Sequence, residues 1–189
     1  MTSGLHKLLS GPPEAAAPLL LGSYLVSTLD DSLVRIRLTE VEAYKGADDP
    51  ASHAHNGQTV RNSPMFAAPG TLYVYRSYGI HWCANTAAGP EGTGWGILMR
   101  AGEIVEGEGV VVRRRGRATE LVNGPGKLTQ ALGIVGQHNG LDLLDPASQI
   151  RLEPGPAPGY VMATPRIGIS RARDLPWRFV ETHPVGSGG

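Results

Sequence analysis

A single cysteine, Cys83, stands in this chain of 189 residues. One thiol makes no internal disulfide and no thiolate zinc site, so the reducing cytoplasm is the expected compartment. An excess of charge of one sign is also lacking. The 17 Lys and Arg are matched by 17 Asp and Glu, a net charge of zero that excludes a grossly basic coat protein and an acidic tail. Long apolar runs are missing as well. Pro18-Leu19-Leu20-Leu21 falls far short of the roughly 20 residues of a membrane span. With Glu14 ahead of it and no basic flank, it does not read as a signal-peptide core. A soluble intracellular protein is expected. What the chain has in excess is 26 Gly and 15 Pro, with charged residues held to 18 %. It is therefore turn-rich, and its 41 % hydrophobic content supplies enough apolar surface for a packed core.

No repeat of fixed period and no long polar linker divides the chain, so one domain is expected over residues 18–183. Residues 1–17 read as an approach segment with a short helix at 5–9. Residues 184–189, ending Gly186-Ser187-Gly188-Gly189, read as a flexible tail. Between them the period-2 signal is strong. Val34, Ile36 and Leu38 alternate with Arg35, Arg37 and Thr39, as a half-buried strand requires, and the same parity continues to Glu40, Glu42 and Tyr44. Residues 71–77 and 80–85 predict a hairpin turning at Tyr78-Gly79. Further strands are predicted at 96–103 and 165–170. The clearest helix covers 126–132, introduced by Asn123-Gly124-Pro125 and closed by Gly133. Adjacent strands with few helices predict an α+β domain: a curved, mostly antiparallel sheet flanked by short helices.

Four groups of residues could carry chemistry. Glu40 and Glu42 are two apart, which on a regular strand puts both on one face with roughly 6 to 7 Å between Cα atoms. Two such carboxylates suit hydrolysis, one activating water while the other supports a leaving group or a cationic transition state; the plainer reading is a pair of solvated strand-end glutamates. Asp48-Asp49 with His53-Ala54-His55 has metal-ligand character, but no third His or Cys stands nearby. A polar loop in which an Asp caps a turn and His53 hydrogen-bonds into it is the simpler reading, and no metal is expected. Tyr44, Tyr73, Tyr75 and Tyr78 cluster; Tyr73 and Tyr75 share a strand face and read as packing, whereas Tyr78 at a hairpin tip can act as a binding wedge. Arg113-Arg114-Arg115 with Arg117 is the densest basic run, ordinarily a solvated face. Gly124-Pro125-Gly126-Lys127 at a helix start is a candidate phosphate seat without P-loop spacing.

Seven blocks in order resemble the alkyladenine (3-methyladenine) DNA glycosylase family: Glu40-Val41-Glu42-Ala43-Tyr44, His53, Arg61-Asn62-Ser63-Pro64-Met65-Phe66, Pro69-Gly70-Thr71-Leu72-Tyr73-Val74-Tyr75 with Tyr78-Gly79, Asn85, Leu98-Met99-Arg100-Ala101, and Asn123-Gly124-Pro125-Gly126-Lys127-Leu128. Pro165-Arg166-Ile167-Gly168-Ile169 is similar too, and the likeness runs over residues 19–180. It implies a monofunctional enzyme that flips a damaged purine out of duplex DNA and hydrolyses its N-glycosidic bond. Glu42 matches the family's general base and Arg100 the arginine that positions water and carboxylate. Tyr44, His53 and Tyr75 match the pocket walls. Asn85 matches the residue that excludes the exocyclic amine of guanine, and Tyr78 the side chain that fills the gap in the duplex. Lys127 is the expected phosphate contact. The implied partner is double-stranded DNA bearing damaged purines, bound by a monomer near the nucleoid if the source is bacterial, without metal, organic cofactor or membrane. A hydrolase of nucleosides or O-glycosides using both glutamates, and a damage-binding module that cleaves nothing, are the alternatives.

Overall fold

The computed structural model describes residues 2–182, and the expected tail at 184–189 lies outside them. Helices α1 (Thr2–Leu9) and α2 (Pro13–Leu20) come first, then strand β1 (Tyr24–Ser27) and the long strand β2 (Val34–Lys45). The hairpin β3 (Leu72–Ser77) and β4 (His81–Ala88) follows, and β5 (Trp95–Glu106) runs back beside β2. Helices α3 (Glu108–Arg115) and α4 (Pro125–Leu132) precede the short strands β6 (Ile150–Glu153), β7 (Tyr160–Thr164) and β8 (Arg178–Thr182). The strands form one antiparallel sheet in the order β3-β4-β5-β2-β1-β6. β2 pairs with β1 over its first residues and with β8 over Glu40, Val41 and Glu42. The sheet forks there and curls on itself, giving the α+β architecture expected from the sequence.

The main core lies on one side of this sheet, built from Ile36, Leu38, Met99, Leu128 and Leu132 among others. Leu5, Leu9, Ala16 and Ala17 belong to it, and α2 crosses residues 17 and 18. Residues 5–17 thus contribute to the core rather than only leading up to the domain; the Ala run hides an amphipathic turn whose apolar face is buried.

The parity of β2 changes midway. Val34, Ile36 and Leu38 face the core, but beyond them it is Val41 and Ala43 that do so. The ladder with β5 pairs Leu38 with Gly102, Glu40 with Ala101 and Val41 with Met99, leaving Thr39 and Arg100 without opposite residues. An extra residue in a strand re-aims everything after it. Uninterrupted alternation would have sent Glu40, Glu42 and Tyr44 into the core; the irregularity turns them to the opposite face, and Arg100 with them.

Two further differences from the sequence reading have local causes. Residues 165–170 are irregular instead of a strand: Pro165 offers no N–H, Gly168 has φ +75°, and Arg166 turns inward to an ion pair. The basic run at 113–115 is the last turn of α3. There Arg114 donates to the carbonyls of Leu29 and Ala131 and pairs with Asp30, tying α3 to α4 and to the loop after β1.

Candidate active site

On the face opposite the main core, the sheet and its loops enclose a cavity of about 750 Å³, within the range of small-molecule sites. Glu42 lies beneath its floor, with no exposed surface. Its Oε1 accepts from the Ile167 backbone N–H at 2.8 Å and lies 3.3 Å from Arg100 Nη1. Its Oε2 accepts from the Tyr44 hydroxyl at 2.8 Å. Burial and the Glu42 charge push the Tyr44 hydroxyl far above its ordinary pKa, so it remains a donor. A buried carboxylate is tolerable only when its oxygens are satisfied, and Oε2, with one donor, keeps lone-pair capacity for a further donor such as water.

Glu40 shares the face but not the environment. One of its oxygens accepts from Arg100 Nε and from Arg178 Nε, each at 2.7 Å. Burial alone would raise its pKa, yet the hydrogen bonds from Arg178 and Arg100 outweigh that and hold it below the ordinary carboxylate range. An acid kept ionised this firmly is the reverse of what the two-carboxylate alternative needs. Arg100 sits between the two glutamates; burial opposes its charge, but the two carboxylates more than restore it.

The walls are aromatic. Tyr73 and Tyr75 stack at 5.5 Å, and His53 meets the Tyr75 ring edge-on at 4.4 Å while its Nδ1 lies 3.2 Å from the Tyr73 hydroxyl. Desolvation against these rings, with the nearby Arg61 charge, lowers the His53 pKa, so the imidazole is neutral at pH 7. Tyr44, His53, Tyr75, Asn85 and Arg100 line the same cavity. Asn85 is opposite Tyr73 in the ladder and donates to its carbonyl at 3.2 Å. Tyr78 is at the rim, 88 % exposed, on a turn closed by Ile80 N–H to Ser77 O at 3.0 Å. The turn needs positive φ at two residues, +48° at Tyr78 and +68° at Gly79. Tyrosine accepts that conformation at a cost of roughly 1–2 kcal/mol, which a ring with nothing to pack against does not offset within the protein.

Lys127 is not brought to this cavity. Its ammonium lies 2.9 Å from Asn123 Oδ1 and 3.5 Å from Glu120, on α4 behind the hairpin. Besides Arg100, the arginines that do line the cavity are Arg61, Arg76 and Arg171. The polar loop after β2 is closed by Asp49, which accepts from the N–H groups of Lys45 and Ala51, as the plainer reading expected. The histidine that bonds into it, however, is His55, whose Nδ1 lies 2.8 Å from the Ala47 carbonyl, while His53 turns away to Tyr73. Among the described residues no three His, Cys, Asp or Glu converge as metal ligands.

Sequence reasoning missed two supporting residues. Arg166 is buried and pairs with Asp49 through two hydrogen bonds of 2.5 and 2.9 Å, its guanidinium 4.6 Å from the Tyr44 ring centre and 5.3 Å from that of Trp177. It braces Tyr44 from behind and anchors the loop whose next residue, Ile167, holds Glu42. Asn62, also buried, donates to the carbonyls of His53 and Gly57 and thereby fixes the loop that carries His53. The only signal for either was its place inside a motif block.

Comparison with known proteins agrees with this geometry. Residues 7–184 match the family model described as methylpurine-DNA glycosylase. A protein of Rhodococcus jostii, bearing the provisional name 3-methyladenine DNA glycosylase, is 46 % identical over 183 residues, covering 93 % of this chain and 80 % of its own. A protein of Nocardia farcinica with the same name is 46 % identical over 93 % of this chain and 85 % of its own. Another, from Mycobacterium tuberculosis, is 45 % identical over 88 % of this chain and 84 % of its own. With a family match over nearly its whole length and a buried glutamate beneath a tyrosine-walled cavity, the chain belongs to the methylpurine-DNA glycosylase family.

Proposed function

We propose that this protein excises alkylated and deaminated purines of the 3-methyladenine, 7-methylguanine, hypoxanthine and ethenoadenine class from duplex DNA, as a monomer and without metal or cofactor. The observation that carries the reading is the Glu42 carboxylate, held by Ile167, Arg100 and Tyr44 under a cavity walled by Tyr44, His53 and Tyr75. A purine alkylated at N3 or N7 is already cationic. As its C1′–N bond breaks, the electron pair returns to the ring and neutralises it, so the leaving base needs no proton. A water oxygen bonds to C1′ and its proton passes to Glu42, whose negative charge also stabilises the oxocarbenium-like transition state. Arg100 orients the carboxylate and water. The aromatic walls hold the flipped base, and stacking offsets part of the few kcal/mol that extrusion costs. Asn85 screens out the amine of normal guanine, and Lys127 is assigned to a phosphate remote from the cavity.

Incubation with methylated duplex DNA in EDTA tests this: free methylpurines are released and strands break only after alkali. Breakage before alkali contradicts a purely hydrolytic reaction, and no release by folded protein contradicts the enzyme reading altogether in favour of a damage binder.

Tyr78 is assigned as the wedge that occupies the gap left by the flipped nucleotide. Because its ring is almost fully exposed, Tyr78→Ala leaves the melting temperature unchanged. Loss of one stacking contact lowers single-turnover release from duplex by about 10- to 100-fold. Release from methylated single strands, where there is no gap to fill, falls much less. Equal losses on both substrates contradict the assignment.

A further inference from the structure

Arg100 carries one positive charge between two carboxylates, and Glu40 in turn has a second cation, Arg178 of β8, on the same oxygen. Arg178 stands opposite Glu42 in the ladder between β2 and β8 and is itself fixed by a 3.1 Å hydrogen bond to Thr164 Oγ1 of β7. Four charges thus form a line, Arg178, Glu40, Arg100, Glu42, that crosses three strands. The contact of Arg100 with Glu40 is the shorter, 2.7 Å against 3.3 Å to Glu42. We propose that Glu40 and Arg178 are positioning residues that set how closely Arg100 engages Glu42, and so how strong a base Glu42 is. This inference rests on the reading of Glu42 as the water-activating base.

The chemistry of the line gives the sign of each effect. Without the Glu40 charge, Arg100 turns wholly to Glu42, and a nearby negative charge is lost as well. Both changes make Glu42 a weaker base. Without the Arg178 charge, Glu40 draws Arg100 more strongly to itself and a nearby cation disappears, and both make Glu42 a stronger base. The other groups around Glu42 add no competing titration near neutrality. From its own strand Tyr44 stays protonated, and from β3 and β4 the Tyr75 hydroxyl and the Cys83 thiol are both raised by burial. From the 165–170 loop it meets the Ile167 N–H, and the Arg166 charge behind Tyr44 is matched by Asp49.

The test is the pH dependence of single-turnover release from methylated duplex DNA, whose cationic lesions need no general acid. For Glu40→Gln the acid limb moves down by about one pH unit and the plateau falls by about threefold. For Arg178→Gln the limb moves up by a similar amount, and Arg178→Lys, which keeps the charge, returns it toward the wild-type position. Duplex affinity is unchanged in all three, and a thermal melt of each identifies the folded ones. Opposite shifts cannot come from general loosening of the site. Should both limbs stay in place or move together in folded variants while Glu42→Gln is inactive, the positioning roles are wrong and the base assignment stands. An active Glu42→Gln removes the reading on which they rest.

Discussion

Asp49→Asn lowers the stability of the protein by about 3–5 kcal/mol, a drop in Tm of roughly 10 °C, and reduces base release along with it. Asp49 and Arg166 have no exposed side-chain surface between them. Removing the carboxylate charge leaves a buried guanidinium whose remaining acceptors are all neutral, one amide oxygen at position 49 and the carbonyls of Ala43 and Ala172, and sets an amide NH2 donor where one carboxylate oxygen accepted. That uncompensated charge is what makes breaking such a pair costly, even where the intact pair adds little. The functional loss follows from the chain of contacts. Arg166 holds the loop that presents the Ile167 N–H to Glu42, and it packs behind Tyr44. Release the loop, and the base loses a donor while the wall loses its backing.

The pair also has a pH signature. Burial alone would raise the Asp49 pKa, but Arg166 and the N–H groups of Ala51 and Lys45 outweigh it, and the folded-state value lies below the ordinary one. A carboxyl whose pKa is depressed by folding contributes stability that is fully present above its unfolded value, near 4, and is lost as pH falls through its lower folded value. The wild-type melting temperature therefore declines on acidification below about pH 4 more steeply than that of Asp49→Asn. Parallel profiles would show that the pair is not the source.

Much of this site is legible in the sequence because strands present side chains in a fixed rhythm. The hairpin followed from two alternating runs about Tyr78-Gly79, and the exposed tip from a large ring beside a glycine. Tyr73 and Tyr75 on one face followed from period 2 alone. What is not legible is where that rhythm breaks. Thr39 and Arg100 carry no local mark that says the ladder will skip there, since such irregularities are set by how two strands of unequal path length curve together. Yet that skip is what turns Glu42 away from the core. Long-range charge pairs are equally hidden: Asp49 and Arg166 lie 117 residues apart, and Glu40 and Arg178 lie 138 apart. Each reads as an ordinary surface charge until the fold closes. Lys127 shows the converse. A glycine-rich helix start followed by lysine stands among the motif blocks of the site, but α4 packs behind β4 and holds its lysine beside Glu120 and Asn123, away from the cavity.

The second large effect separates the two glutamates. Glu42→Gln keeps the size and shape of the side chain and one carbonyl oxygen for the Ile167 N–H, but an amide cannot take a proton from water and carries no charge to face the oxocarbenium-like sugar. Release falls by about three orders of magnitude, toward spontaneous depurination, while affinity for damaged duplex is kept. Glu40→Gln acts through Arg100 and through the loss of one nearby charge, and stays within about tenfold of wild type. A rival that used the pair as acid and base would lose both activities alike. The direct measurement is single-turnover release of methylpurines from methylated duplex in EDTA at pH 7.5 by wild type, Glu42→Gln and Glu40→Gln side by side. A near-complete loss confined to Glu42→Gln is the predicted result; equal losses in the two variants, or an active Glu42→Gln, would contradict the assignment of Glu42 as the base.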